Sequence, residues 1–255
     1  GLDLGDALGA ERRARWTRAL VRLVDFLIRS GNMADEHGWN PLGRNWYTNG
    51  NIELDELLLL ELVRQVTADD GYARLYENQL AFVLDPVSAD PRWEGFGLTT
   101  TREPTRDDGS DGAGFLAEAE GGTGRRGWDP DYTMFQASIA VRIFLSNRDP
   151  RLLRLMNMLL NQDMTRVDTA TWIIDCTGGT RRNNRQPFWP NALAVAAFQG
   201  GRADFEPFVQ SHLAKIDSEY RLHLAAGTLP PGLLRGIGTL LPDYLRSAVL
   251  AAENH

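Results

Sequence analysis

Two stretches of the chain place carboxylates, amides and aromatic rings side by side. The first is Asp107-Asp108-Gly109-Ser110-Asp111-Gly112; after a Gly-rich gap comes Trp128-Asp129-Pro130-Asp131-Tyr132-Thr133-Met134-Phe135-Gln136. Carboxyls and phenols move protons, amides neutralise a carboxylate, and an indole stacks on the apolar face of a sugar ring. A long loop furnished this way and leading into an apolar helix reads as a binding site, with carbohydrate as the ligand. Arg44-Asn45-Trp46-Tyr47-Thr48-Asn49-Gly50-Asn51 has the same grammar ahead of another helix. Arg44 to Asn51 and Trp128 to Gln136 each set polar groups at a helix amino terminus, where unpaired N–H groups and the dipole favour an anion. The competing local reading is capping: Thr48, Asn49 or Asn51 as N-cap, Trp46 and Tyr47 as a staple, and Asp129 or Asp131 beside Pro130 as an ordinary helix start.

The elements that must position these residues are helical by their periodicity. Trp16, Leu20, Leu23, Val24 and Leu27 recur at three- and four-residue steps and predict a helix over Glu11 to Ser30. Further helices are predicted over Ile52 to Thr67, Tyr72 to Leu84 (stopped by Pro86), and Pro130 to Asn147. Asp149-Pro150 starts the partner of the last, with Leu152, Leu155, Met156 and Leu159 on one face. Asn191 to Phe198, Asp204 to Ala225, and Pro231 to Ala252 complete the set, and Asp85 to Trp128 reads as one long loop. Thr169 to Asp175, β-branched and aromatic, predicts a short β-hairpin near residues 169–180. The fold class is therefore all-α: stacked α-hairpins in a single domain over residues 1–255.

Composition narrows the function. A net charge of -7 and a pI near 5.2 exclude a nucleic-acid partner, because phosphate binding needs a basic face, and Arg181, Arg182 and Arg185 make too small a basic block. Lys215 is the sole lysine, which reads as codon bias. With one cysteine, Cys176, there is no internal disulfide, and no Cys/His cluster is spaced for a metal. No cofactor fingerprint stands out: Gly121-Gly122-Thr123-Gly124 follows no predicted strand and lacks lysine. Asp107, Asp108 and Asp111 lack the spacing and terminal Glu of a calcium loop. No apolar run reaches the roughly 20 residues of a membrane span, so no membrane partner is expected. The chain shows no signal peptide, which fits either a cytoplasmic protein or one secreted after cleavage. The sequence leaves oligomeric state open.

Asp108-Gly109-Ser110, the following Gly-rich gap and Tyr132, together with Asn45-Trp46-Tyr47 and Asn49-Gly50-Asn51, resemble the α/α-toroid polysaccharide lyases over the stretch from Asn45 to Asn161. The resemblance implies a toroid and β-elimination on a uronate-containing glycan. An amide, Asn49 or Asn51, would neutralise the uronate carboxylate; His37 would take the C5 proton; and Tyr132 or Tyr47 would protonate the leaving oxygen. Asn45, Trp46, Asp108 and Trp128 would bind substrate, joined by Asp129, Gln136, Arg181 and Arg182. The sequence departs from the family in supplying about four hairpins where a complete toroid has about six. The barrel is then partial, incomplete on its amino-terminal side, or completed by another chain. His37 also stands in Glu36-His37-Gly38-Trp39 rather than in an asparagine-histidine pair.

Two alternatives stand beside elimination. A glycoside hydrolase on the same scaffold needs facing carboxyls, about 5 Å apart for retention and about 6.5 to 9.5 Å apart for inversion. Asp111, Asp129 and Asp131 are candidates for one side and Glu53, Asp55 or Asp175 for the other, with Trp46, Trp128, Trp172 and Trp189 as platforms. The second alternative is a module that binds carbohydrate or protein without turning it over.

Overall fold

The computed structural model describes residues 9–29, 49–85, 95–119, 126–188 and 190–228. The predicted positions His37, Asn45, Trp46, Tyr47 and Trp189 and the predicted helix Pro231 to Ala252 lie outside these residues. Among the described residues the protein is mostly helical, with small antiparallel sheets. It divides into two compact units, residues 1–98 and 99–255.

The first unit holds α1 (Ala10–Arg29), α2 (Gly50–Thr67) and α3 (Asp70–Leu84). α2 and α3 form a hairpin whose joint is two residues long. Ala68 turns into the left-handed region (φ 53°) and returns its N–H to Arg64 O, while Asp69 caps α3 by accepting from Gly71 N at 2.7 Å. Leu54, Leu57, Leu60 and Val63 of α2 meet Tyr76, Leu80 and Val83 of α3 in the buried face, an apolar stripe at helical spacing. Gln79 Nε2 donates to Glu53 O across the pair. Tyr72 donates to Asp25 of α1 at 2.5 Å, and its phenol is pushed up to about 12 by burial and by that bond.

The second unit centres on α4 (Pro130–Asn147) and α5 (Pro150–Met164). Their joint repeats that of the first hairpin: Arg148 is left-handed (φ 59°), and Asp149 caps α5 by accepting from Arg151 N at 2.9 Å, with Pro150 in the first turn. α4 is buried on nearly every side, including Met134, Ile139, Val141 and Ile143, so it is the inner helix of the unit. Leu152, Leu155, Met156 and Leu159 of α5 pack on it, and α6 (Asn191–Gln199) and α7 (Glu206–Ala225) follow.

The predicted loop from Asp85 to Trp128 is not all loop. It contains β1 (Leu98–Arg102) paired with β2 (Ala113–Leu116), and β3 (Glu118–Ala119) paired antiparallel with β4 (Arg126–Gly127). The β-branched run Thr99-Thr100-Thr101 favours extended backbone, but the surrounding glycines and charges mask the alternation that marks a strand. The predicted hairpin near residues 169–180 is a three-stranded antiparallel sheet of β5 (Val167–Asp168), β6 (Ile173–Asp175) and β7 (Arg185–Pro187). Thr171 and Trp172 belong to the turn between β5 and β6, not to a strand, and Trp172 adopts φ 57°.

The turn joining β1 to β2 closes on itself. Asp111 accepts from the backbone of Thr105 and Arg106, Asp108 accepts from Ser110 N at 3.0 Å, and α5 reaches over with Asn157 Nδ2 to Asp108 O and Asn161 Nδ2 to Ser110 O and Gly112 O. Gly109 is left-handed (φ 70°), and a Cβ there would lie 2.7 Å from Arg154 O and 2.9 Å from Arg154 Cγ. Gly109→Ala should lower stability in urea unfolding by about 2 to 4 kcal/mol, combining φ strain with overpacking. Gly178→Ala, also at positive φ (85°) but with nothing within 4 Å, should cost only about 1 kcal/mol.

Candidate functional site

The Trp128 to Gln136 stretch and Arg181 and Arg182 come together at the amino terminus of α4. Asp129 is fully buried and caps the helix: Oδ1 accepts from Tyr132 N at 3.2 Å, and Oδ2 accepts from Arg181 N at 2.5 Å and Arg182 N at 2.7 Å. The turn can deliver two N–H groups to one oxygen because Gly179 lacks a side chain. A Cβ there would sit 2.5 Å from Arg182 O and 2.8 Å from Asp129 Oδ2. Asp129 therefore clamps the turn that follows β6 to the start of α4, and its oxygens are committed to backbone.

Asp131, in the first turn of α4, reaches solvent. Its side chain is 21% exposed and meets Arg182 Nε at 3.3 Å. Burial raises its pKa from the usual carboxylate range; Arg182 opposes the shift and the Asp129 charge adds to it. Tyr132 lies beside it, with the Arg181 guanidinium carbon 5.1 Å from the ring centroid and Arg181 Nη1 bonded to Ala119 O at 3.1 Å. Trp128 is already engaged by Phe115, at 6.3 Å between centroids, and by the Arg166 guanidinium at 5.0 Å. It reads as a wall of the site more than an open platform. Gln136 is turned inward, donating to Leu116 O and to Glu118 Oε1 at 2.7 Å.

One residue of this cluster had no place in the sequence-based site. Asp163, in the last turn of α5, is fully buried, and neither carboxyl oxygen has a hydrogen-bond partner. Its pKa is raised well above the usual range by burial first, then by the charges of Asp129 and Asp131. The negative end of the α5 dipole also disfavours an anion there. Cys176 lies against the same group, and burial followed by Asp131 and Asp129 pushes its thiol up to about 12. The signal for Asp163 is in the sequence: it continues the Leu152, Met156, Leu159 stripe at four-residue spacing, where a carboxyl is out of place.

The other predicted residues lie apart from this cluster. Asp108 and Asp111 hold the β1–β2 turn: the Ser110 N–H holds the Asp108 carboxyl below its usual range, and the Thr105 hydroxyl, followed by the Arg106 N–H, does the same for Asp111. That turn packs on the Asn157 and Asn161 face of α5. Asp163 projects about 200° around the helix from Asn161, at 3.6 residues per turn. Asp175 closes a turn by accepting from Thr177 N at 3.0 Å. Trp172 is buried against Phe188 and His212, which removes it as a sugar platform. In the first unit Asn49 is the buried N-cap of α2, Asn51 is half-buried, Glu53 is buried and Asp55 is exposed. A cavity of about 500 Å³ at the start of α1, lined by Gly9, Ala10, Glu11, Arg12 and Arg15, contains none of the predicted site residues.

Among the described residues no group of three His, Cys, Asp or Glu is arranged to hold a metal ion, and no helix is long and apolar enough to cross a membrane. Compared with known families, curated proteins and solved structures, the chain matches none.

Two measurements check this geometry. Asp129→Ala leaves three backbone N–H groups without their acceptor and should cost about 3 kcal/mol in chemical denaturation, the sum of a lost cap and unpaired donors. Asp163→Asn should act with a pH signature. A carboxyl whose folded pKa is raised favours the native state fully only below its unfolded pKa near ~3.9, and loses that contribution as pH rises toward the folded value. Thermal unfolding should therefore show the variant equal to wild type near pH 3 and more stable than wild type at pH 7.

Proposed function

We propose that the protein is a carbohydrate-active enzyme that cleaves a polysaccharide or oligosaccharide by carboxyl acid catalysis, with Asp131 as the proton donor. The observation that carries this reading is a solvent-reaching carboxyl with a raised pKa, set between Tyr132 and Arg182 on a rigid helix start. A buried carboxyl kept without partners beside it costs stability, which is the mark of a site retained for its chemistry. In hydrolysis Asp131 protonates the glycosidic oxygen as the C1–O bond breaks. Water adds to C1, and the proton released by that water restores the acid. The hairpins α2/α3 and α4/α5, built on one type of joint, are the repeat from which we propose an α/α toroid is made.

Elimination is the second reading, favoured by the Arg181 guanidinium over the Tyr132 ring. A cation held over the tyrosine ring is placed to meet a uronate carboxylate beside a phenol that could carry the proton.

A panel of neutral and uronate-containing glycans separates the readings when reducing ends and the ultraviolet absorbance of unsaturated uronate are followed together. Hydrolysis predicts reducing ends without the absorbance, a loss of roughly 100-fold or more in Asp131→Asn, and a much smaller loss in Tyr132→Phe. Unsaturated product with the larger loss in Tyr132→Phe would establish elimination. Neither product from any glycan in the panel would overturn the enzymatic proposal in favour of a binding module.

A further inference from the structure

α1 (Ala10–Arg29) is held in its unit by a narrow strip. It packs on α2, Val24 is its one enclosed side chain among the described residues, and Asp25 accepts from Tyr72 of α3. The rest of the helix carries a pattern that this packing does not use. Trp16, Leu20, Leu23 and Leu27 recur at alternating steps of four and three, and Phe26 borders Leu23, so the five form one stripe along the helix. Trp16 is 56% exposed, Leu23 47% and Phe26 59%, with Leu20 and Leu27 half-buried at the inner edge. Scattered single apolar residues are ordinary on a surface, whereas a contiguous row of large ones marks a contact face.

Basic residues border the stripe. α1 has six arginines against Glu11 and Asp25, a net charge of +4 on a chain whose total is -7. At about 100° per residue, Arg15 and Arg22 fall beside Phe26, and Arg13 falls beside Leu20 on the opposite edge. Arg29 reaches Asp25 at 3.9 Å, whereas Arg12, Arg15, Arg18 and Arg22 are exposed and meet no carboxylate among the described residues. An apolar row that includes an indole, edged by exposed guanidinium groups, matches a surface that is anionic on top and apolar beneath. A second copy of the chain is a poorer match, because stripe against stripe would bring the arginine edges of both copies together.

We propose that α1 is a membrane-surface anchor. It lies in the plane of an anionic phospholipid bilayer, with Trp16, Leu23 and Phe26 sunk at the headgroup boundary and Arg15 and Arg22 on lipid phosphates. Asp25, tied to Tyr72, is on the far side of the helix, so α1 can bind without leaving its unit. Among the described residues no helix is long and apolar enough to cross a bilayer, which bears on spanning alone. An interfacial helix needs one apolar face and not the roughly 20 apolar residues of a span. The anchor is independent of the chemistry proposed for Asp131.

The test is flotation of the intact protein with vesicles of phosphatidylcholine alone, or of phosphatidylcholine with about one-third phosphatidylglycerol. The protein should float with the anionic vesicles, at least about 10-fold less with the neutral ones, and should be released as salt is raised. Arg15→Gln with Arg22→Gln should weaken partition by roughly 10-fold or more. Leu23→Ser with Phe26→Ser should weaken it similarly while keeping the fold, since both side chains are exposed. Lipids brominated on the acyl chain should quench part of the tryptophan emission, and that quenching should disappear in Trp16→Phe with binding largely retained. Equal partition onto neutral and anionic vesicles, or quenching unchanged in Trp16→Phe, overturns the proposal. So does a protein that stays off the vesicles but forms a concentration-dependent dimer that Leu23→Ser with Phe26→Ser disperses, which would make the stripe an interface between copies. Absence of wild-type flotation is decisive by itself, whether or not the variants fold.

Discussion

Three backbone N–H groups, those of Tyr132, Arg181 and Arg182, converge on the buried carboxylate of Asp129 and tie the turn after β6 to the first turn of α4. The arrangement satisfies one orphan donor of the helix and two donors of a turn that has no sheet partner at that point. It also sets a carboxylate inside the protein, and three groups around it respond. Asp131 and Cys176 are shifted upward in part by that charge, and for Asp163 it is the second cause after burial itself. The same clamp brings Arg182 against Asp131 and Arg181 over Tyr132, so the chemistry of the site depends on a bond whose first role is structural.

The β1–β2 turn is the counterpart that makes its own structure and nothing else visible. Asp108 and Asp111 are spent on N–H and hydroxyl groups within the turn, and its carbonyls are taken by Asn157 and Asn161 of α5. Arg202, itself buried, donates to Asn161 Oδ1 and pairs with Asp204, which links the 3₁₀ turn Ala203–Phe205 to the same helix. α5 is thus used on two faces, one holding this turn and the other presenting Asp163 to Asp129 and Asp131. A rigid α5 is what lets a carboxyl be buried unpartnered at its end, since a mobile end would let Asp163 swing out to water.

Much of the scaffold was legible in the chain. Pro130 and Pro150 in first turns, Asp69 and Asp149 ahead of their helices, and apolar residues at three- and four-residue steps mark α2 to α5 to within a few positions, because these signals are local. The short strands between Leu98 and Gly127 were not legible, since two- to five-residue strands carry too little alternation and are stabilised by pairing with residues elsewhere in the chain. The candidate site was legible in part. Asp131, Tyr132, Arg181 and Arg182 were singled out by type and lie together, whereas Asp108 and Asp111 have the same types and serve a turn.

What the sequence determined by itself is the helical hairpins, their joints and the carboxyl-rich, aromatic helix start, all set by side chains acting within a few residues of their own backbone. Which carboxyl caps, which reaches solvent and which is buried was decided only in the tertiary structure. Asp129 and Asp131 differ by two positions, one capping the helix and the other inside its first turn, yet one is enclosed by a turn 52 and 53 residues later and the other is not. Asp163 acquires its character from the same source: a carboxyl's proton affinity depends on the solvent and charges around it, and those are supplied by chain segments far away in sequence.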